Sequence, residues 1–85
     1  MPKVVIYSTA VCPYCMRARK LLDKKNAEYI DIRIDHEPQY RTEMEAKSGR
    51  TSVPQIFIDD YHVGGFDDLS ELDFDGKLDE LLGIS

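Results

Sequence analysis

Two cysteines, Cys12 and Cys15, are the only thiols in this chain, and they stand three positions apart in Cys12-Pro13-Tyr14-Cys15. At the start of a helix such a pair has its β-carbons about 5–6 Å apart. A small adjustment brings them within disulfide reach, so the pair can cycle between dithiol and disulfide without unfolding the chain. The two sulfurs would differ. Cys12 would lie at the helix mouth, where unpaired N–H groups converge and the macrodipole favours an anion. Pro13 suits the first helical position because the N–H it lacks would have no partner there. Arg17, Arg19 and Lys20 add positive charge within about two turns. Such surroundings lower a thiol pKa from about 8.5 into the range of about 3.5–7.5, which predicts a Cys12 thiolate at neutral pH. Cys15, one turn in and on the side of Ala18 and Leu22, is expected to be more buried and to act second.

The elements that must hold this pair are legible in outline. Val4-Val5-Ile6-Tyr7 reads as a short buried strand. From Pro13 to about Lys25, Cys15, Ala18, Leu21 and Leu22 repeat at helical spacing, and Asn26 ends the run. From Glu28 to Asp35, Ile30, Ile32 and Ile34 alternate with Asp31, Arg33 and Asp35, the pattern of a half-buried strand. Strand, helix and strand in this order predict a right-handed crossover with parallel strands. Gln39 to Ser48, closed by Gly49, predicts a largely exposed helix with a thin apolar face of Tyr40, Met44 and Ala46. The loop Arg50-Thr51-Ser52-Val53-Pro54 leads into a third strand, Gln55-Ile56-Phe57-Ile58. Asp59-Asp60 is a hairpin turn, and Tyr61-His62-Val63 returns antiparallel. Asp67 or Asp68 is expected to cap a last helix, with Glu71 completing a capping box after Asp68. Leu69, Leu72, Leu78, Leu81 and Leu82 give that helix its buried face, with a break at Gly76.

Eighty-five residues suit a single domain spanning 1–85, with only about 60–65% of the unfolded surface buried. A bridge between positions i and i+3 closes too short a loop to staple such a fold, so the pair reads as a working one. A net charge of −5 argues against nucleic acid or anionic membrane as a general partner. The start of the chain has one lysine and four apolar residues, too little for an export signal, and no run approaches a membrane span. The expected compartment is the reducing cytoplasm, where Cys-x-x-Cys near a βαβ pattern reads as a redox site.

With Thr51-Ser52-Val53-Pro54-Gln55-Ile56-Phe57-Ile58 and Gly64-Gly65-Phe66-Asp67-Asp68-Leu69 set beside Cys12-Pro13-Tyr14-Cys15, the chain resembles a glutaredoxin, and its nearest likeness is the short bacterial dithiol type. The likeness runs over nearly the whole length. It implies the α/β thioredoxin-like fold, a four-stranded mixed sheet flanked by helices in the order β-α-β-α-β-β-α. It also implies a glutathione-dependent disulfide oxidoreductase that reduces protein–glutathione mixed disulfides and protein disulfides, with Cys12 as nucleophile and Cys15 as the resolving thiol. Glutathione is the co-substrate, and no cofactor or metal is permanently bound. Disulfide-containing proteins are the partners, ribonucleotide reductase is a family target to be tested, and a monomer is expected.

By the same resemblance the Val53–Pro54 bond is cis and faces the cysteines, leaving the Val53 backbone free to pair with glutathione's cysteine. Ser52, Pro54, Gly65 and Phe66 frame that position. Asp67 and Asp68 receive the γ-glutamyl end, helix N–H groups taking its carboxylate and an aspartate its ammonium. Tyr14 flanks the sulfur, and Arg41, or failing it Arg17, meets the glycine carboxylate. Two departures stand out: Thr9 replaces a lysine found in many relatives, and Phe66 replaces a third cysteine found in some. The rival from another class is a [2Fe–2S] carrier, in which Cys12 and glutathione from each of two subunits hold the cluster.

Other residues have plainer readings. Two thiolates joined by His36 and His62 would form a zinc site, but tetrahedral ligation needs four convergent side chains and these histidines lie apart in sequence. His62 is expected to face solvent on an edge strand, and His36 to sit in a turn. Tyr7, Tyr29, Tyr40 and Tyr61 read as packing or surface residues, and Met16 and Met44 as ordinary helix residues. Arg17, Arg19, Lys20, Lys24 and Lys25 form mostly a solvated helix face. Without the family likeness, Asp67 and Asp68 would be helix caps alone and Val53-Pro54 a loop-to-strand junction.

Overall fold

In the computed structural model, which describes residues 2–84, the apolar runs become four strands: β1 (Val4–Ser8), β2 (Tyr29–Arg33), β3 (Gln55–Ile58) and β4 (Tyr61–Gly64). They form one sheet in the order β2-β1-β3-β4. β1 runs parallel to β2 with Val4 opposite Tyr29, and antiparallel to β3 with Ile6 opposite Ile56. The β3–β4 register shifts between Ile56, opposite Gly64, and Phe57, opposite His62, so Val63 is the extra residue of a bulge.

The helices are α1 (Pro13–Lys24), α2 (Pro38–Ser48), α3 (Phe66–Phe74) and α4 (Lys77–Leu82). Each ends where local chemistry requires. Asn26 takes a left-handed φ of 57° after α1, a conformation asparagine tolerates better than most residues. Gly49, at φ 70°, closes α2 and donates its N–H to the Glu45 carbonyl.

Side-chain alternation sorts the sheet residues into two cores. On one side Val4, Ile6, Ile56, Ile58 and Val63 pack with Ala18 and Leu22 of α1 and with Leu69, Leu78 and Leu82 of α3 and α4. On the other, Tyr7, Ile34 and Met44 pack with Val5, Ile32, Tyr40, Val53 and Phe57. The fold is thioredoxin-like, with one refinement of the expected order. The last helix is two, parted at Gly76 with φ 78°, and Lys25 fastens both by lying 2.7 Å from Asp73 and 2.8 Å from Asp79.

Several local expectations are corrected. The last helix starts earlier than either aspartate predicted. Gly65 is its N-cap, and Asp68 occupies the third helical position, accepting the Gly65 N–H at 3.0 Å, so the Asp68–Glu71 box does not form. Ile30 is half exposed although alternation grouped it with Ile32 and Ile34: those two pack in the cluster of Tyr7 and Met44, and Ile30, on an edge strand, lies outside it. Ala46 is exposed, leaving Met44 as the one fully buried residue of α2. Arg19 and Lys25 are half buried and ion-paired rather than solvated, Arg19 lying 3.1 Å from Asp31.

Candidate active site

Cys12 holds the N-cap of α1 in an extended conformation. Its Sγ accepts the Cys15 N–H at 3.1 Å, and its carbonyl accepts the Met16 N–H at 3.0 Å. A sulfur thus fills the capping role usually taken by a side-chain oxygen. The two Cα atoms are 5.1 Å apart and the side chains are joined as a disulfide. Cys15 is fully buried, whereas Cys12 keeps 7% of its surface. Of the two cysteines, Cys12 alone retains exposed surface.

The approach to Cys12 is fixed from both sides. Upstream, the Ala10 N–H donates to Asp35 at 3.1 Å, and Asp35 also accepts two bonds from Arg33. The hydrogen bonds from Arg33 hold the Asp35 carboxyl well below the usual carboxylate range. Across from the sulfur, the Val53–Pro54 peptide is cis, and the Val53 carbonyl oxygen lies 3.9 Å from Cys12 Sγ.

A cleft of about 210 Å³ extends from there, lined by Tyr14, Arg50, Ser52, Val53, Pro54, Gly65, Phe66, Asp67 and Asp68. Tyr14 and Phe66 approach at 6.4 Å between ring centroids, and the Arg17 guanidinium lies 5.2 Å from the Tyr14 ring. At the far end Asp68 Oδ2 accepts from both the Gly65 N–H and Arg50, the latter at 3.2 Å. The wall is mostly polar, with the Tyr14 and Phe66 rings and the paired charges of Arg50 and Asp68 in it.

The cleft therefore gathers eight of the residues singled out from sequence: Tyr14, Ser52, Val53, Pro54, Gly65, Phe66, Asp67 and Asp68. Arg41 is not in its wall; it points along α2, 3.9 Å from Glu45. Arg50, which sequence reasoning passed over, is there instead. Its signal was its position three residues before Val53 in the same loop. A larger hollow of about 650 Å³ is lined by Lys3, Val5, Tyr7, Lys47, Phe57, Asp59 and Asp60 and includes neither cysteine. Size does not mark the reactive site here; the sulfur does.

His62 is not solvent-facing as expected. It is half buried, stacked on Phe57 at 4.8 Å between centroids, and its Nε2 lies 2.7 Å from Gln55 Oε1. Burial first, and the Arg50 charge second, push its pKa down. Among the described residues, no three His, Cys, Asp or Glu side chains gather as metal ligands would.

Residues 4–63 match the sequence model of the glutaredoxin family. The chain belongs to that family. Among glutaredoxins, one from Pseudomonas aeruginosa is 54% identical over 82 residues, which are 96% of this chain and 98% of that protein. Glutaredoxin 3 of Escherichia coli K12 is 51% identical over 82 residues, covering 96% and 99%. The solution structure of a glutaredoxin from Brucella melitensis superposes with a TM-score of 0.86 at 50% identity, over 99% of this chain and 91% of that one. A buckwheat glutaredoxin–glutathione complex gives 0.89 at 34% identity, over 96% and 77%. As a glutaredoxin the chain is a thiol–disulfide oxidoreductase, and Cys12-Pro13-Tyr14-Cys15 is its redox pair. Among the described residues, no helix is long and apolar enough to cross a membrane.

Proposed function

We propose that this glutaredoxin reduces protein–glutathione mixed disulfides with glutathione as co-substrate, and protein disulfides by a two-cysteine route. In the first reaction the Cys12 thiolate attacks the glutathione sulfur of the mixed disulfide. A Cys12–glutathione disulfide forms, and the protein sulfur leaves as a thiolate and takes up a proton. A second glutathione thiolate then attacks the glutathione sulfur held by Cys12. Oxidised glutathione departs and the Cys12 thiolate is regenerated. In the second reaction Cys12 bonds to one sulfur of a protein disulfide and Cys15 attacks Cys12, releasing the reduced protein and leaving the Cys12–Cys15 disulfide. A stabilised thiolate leaves readily, at some cost in nucleophilicity.

The single observation that carries this reading is the pairing of Cys12 with Val53. The sulfur caps a helix N-terminus, and a backbone carbonyl beside a cis-proline stands 3.9 Å away. That arrangement supports docking of a cysteinyl tripeptide by strand-like backbone pairing, its own sulfur delivered to Cys12. The first turn of α3, with Asp67 and Asp68, suits a γ-glutamyl group, its carboxylate to the helix N–H groups and its ammonium to an aspartate. Because Arg50 is already paired with Asp68 at the γ-glutamyl end, charge for the glycine carboxylate falls to Arg41, with its side chain swung inward, or to Arg17, in place of the lysine that Thr9 replaces. The same reading makes the protein a cytoplasmic monomer of one domain, with disulfide-bearing proteins such as ribonucleotide reductase as partners for the second reaction.

The test separates the two cysteines. Cys12→Ser should abolish reduction of both a glutathionylated peptide and a protein disulfide. Cys15→Ser should retain the first activity and lose the second. Turnover of the glutathionylated peptide by Cys12→Ser would refute the assignment of the nucleophile.

A further inference from the structure

The segment that faces Cys12 is held from behind by a side chain that is not itself part of the cleft wall. Gln55 is fully buried and follows Pro54 directly. Its Nε2 donates to the Ser52 carbonyl at 3.1 Å and approaches the Ser52 hydroxyl at 3.3 Å, while its Oε1 meets His62 Nε2 at 2.7 Å. These contacts fix the amide's orientation, since turning it over would set Oε1 against the Ser52 carbonyl. Gln55 Oε1 can only accept, so the His62 proton belongs on Nε2.

His62 is itself held. It stacks on Phe57, which meets Tyr7 edge-on at 5.9 Å, and the Tyr7 hydroxyl donates to Glu43 of α2 at 2.5 Å. A row of rings thus crosses from β1 through β3 to β4 and ends in the imidazole that grips Gln55. The Ser52–Pro54 corner has its sulfur-facing side in the cleft and its rear tied to this row.

We propose that Gln55 and His62 are positioning residues for the disulfide exchange, setting where the Val53 backbone stands relative to Cys12. The proposal rests on the reading of Val53 as the docking backbone. Neither side chain lines the cleft, so both act through Ser52. A buried amide that loses one of its partners re-orients or admits water, and the corner loses its reference point. Substrate docking then suffers more than the chemical step.

Steady-state kinetics on a glutathionylated cysteinyl peptide test this with His62→Leu, which keeps bulk and removes the donor, and His62→Gln, whose amide reaches about as far as Nε2. Gln55→Met removes the relay itself. The expected result is a rise in KM of about fivefold for His62→Leu with kcat within about twofold, and restoration by His62→Gln. A second readout needs no activity: nitrogen-15 NMR of the His62 imidazole should show the Nε2–H tautomer in the unaltered protein and lose that preference in Gln55→Met. An unchanged KM in His62→Leu, no rescue by His62→Gln, or an Nδ1–H tautomer in the unaltered protein overturns the proposal. Should the unaltered protein fail to turn over the peptide, the glutathione reading falls, and the tautomer measurement still decides whether the relay exists.

Discussion

Replacing Gly64 by alanine attacks the cleft through its backbone. Gly64 has φ +112°, and a methyl group built there would stand 2.9 Å from the Asp68 carboxyl carbon and 3.1 Å from an Arg50 nitrogen, with a carboxylate oxygen closer still. Two costs follow. Holding a non-glycine residue in that region costs on the order of 1–3 kcal/mol. Displacing Asp68 breaks its bond to the Gly65 N–H, and because the aspartate is partly exposed and can rehydrate, this adds about 1 kcal/mol. The sum, about 2–4 kcal/mol, is a large share of the roughly 5–15 kcal/mol available to a domain.

Gly49→Ala is the matched control. Gly49 also has a positive φ, +70°, but nothing lies within 4 Å of the added carbon, so only the left-handed penalty of about 1–2 kcal/mol applies. Urea unfolding of both variants in the oxidised state, with KM for a glutathionylated peptide measured alongside, separates strain from collision. Gly64→Ala should be the less stable by about 1–2 kcal/mol and should alone raise KM. Equal destabilisation with equal KM would refute the claim that Asp68 is held in place by the space over Gly64.

Two predictions concern titration. Burial, with the Glu43 hydrogen bond second, pushes the Tyr7 phenol above its ordinary value, so the folded form keeps a proton that the unfolded chain releases above about pH 10. Stability from this group is present below that pH and lost as pH rises beyond it, and Tyr7→Phe should flatten the alkaline decline in Tm and remove a late step from an ultraviolet tyrosine titration. His62 has the opposite sense: burial and then Arg50 lower its pKa, while Asp68 raises it in part. The unfolded chain therefore binds the proton more readily, so this contribution is complete above about pH 6.5 and lost as pH falls through the lower folded value. Thermal unfolding against pH should show an acid-side decline that His62→Gln reduces; identical profiles would refute it.

The parts of the fold that local chemistry decides could be read in the chain. Cys15, Ala18 and Leu22 share one helical face, and all three are fully buried. Gly49 and Gly76 stand where helices stop or break. What escaped reading depends on partners far apart in sequence. His62 looked solvent-facing because nothing near it shows that the β3–β4 register sets it against Phe57 and beside Gln55. The start of α3 was misplaced because its cap is glycine backbone and the aspartate that serves it lies inside the first turn. Arg50 went unremarked because its partner, Asp68, is 18 residues away. Ile30 alternates as a buried residue would, yet the cluster that takes up Ile32 and Ile34 does not include it. The cleft's membership came largely from family likeness, since composition and spacing alone do not bring Ser52–Pro54 to the mouth of α1.

The stripe that carries Cys15 continues through Ala18 to Leu22, so the buried sulfur of the redox pair and the main apolar core ride on one rod. Any repacking at Leu22 that tilts this rod also re-aims the sulfur at its other end. Durability and reactivity are therefore mechanically geared in this protein, and neither can drift far without dragging the other.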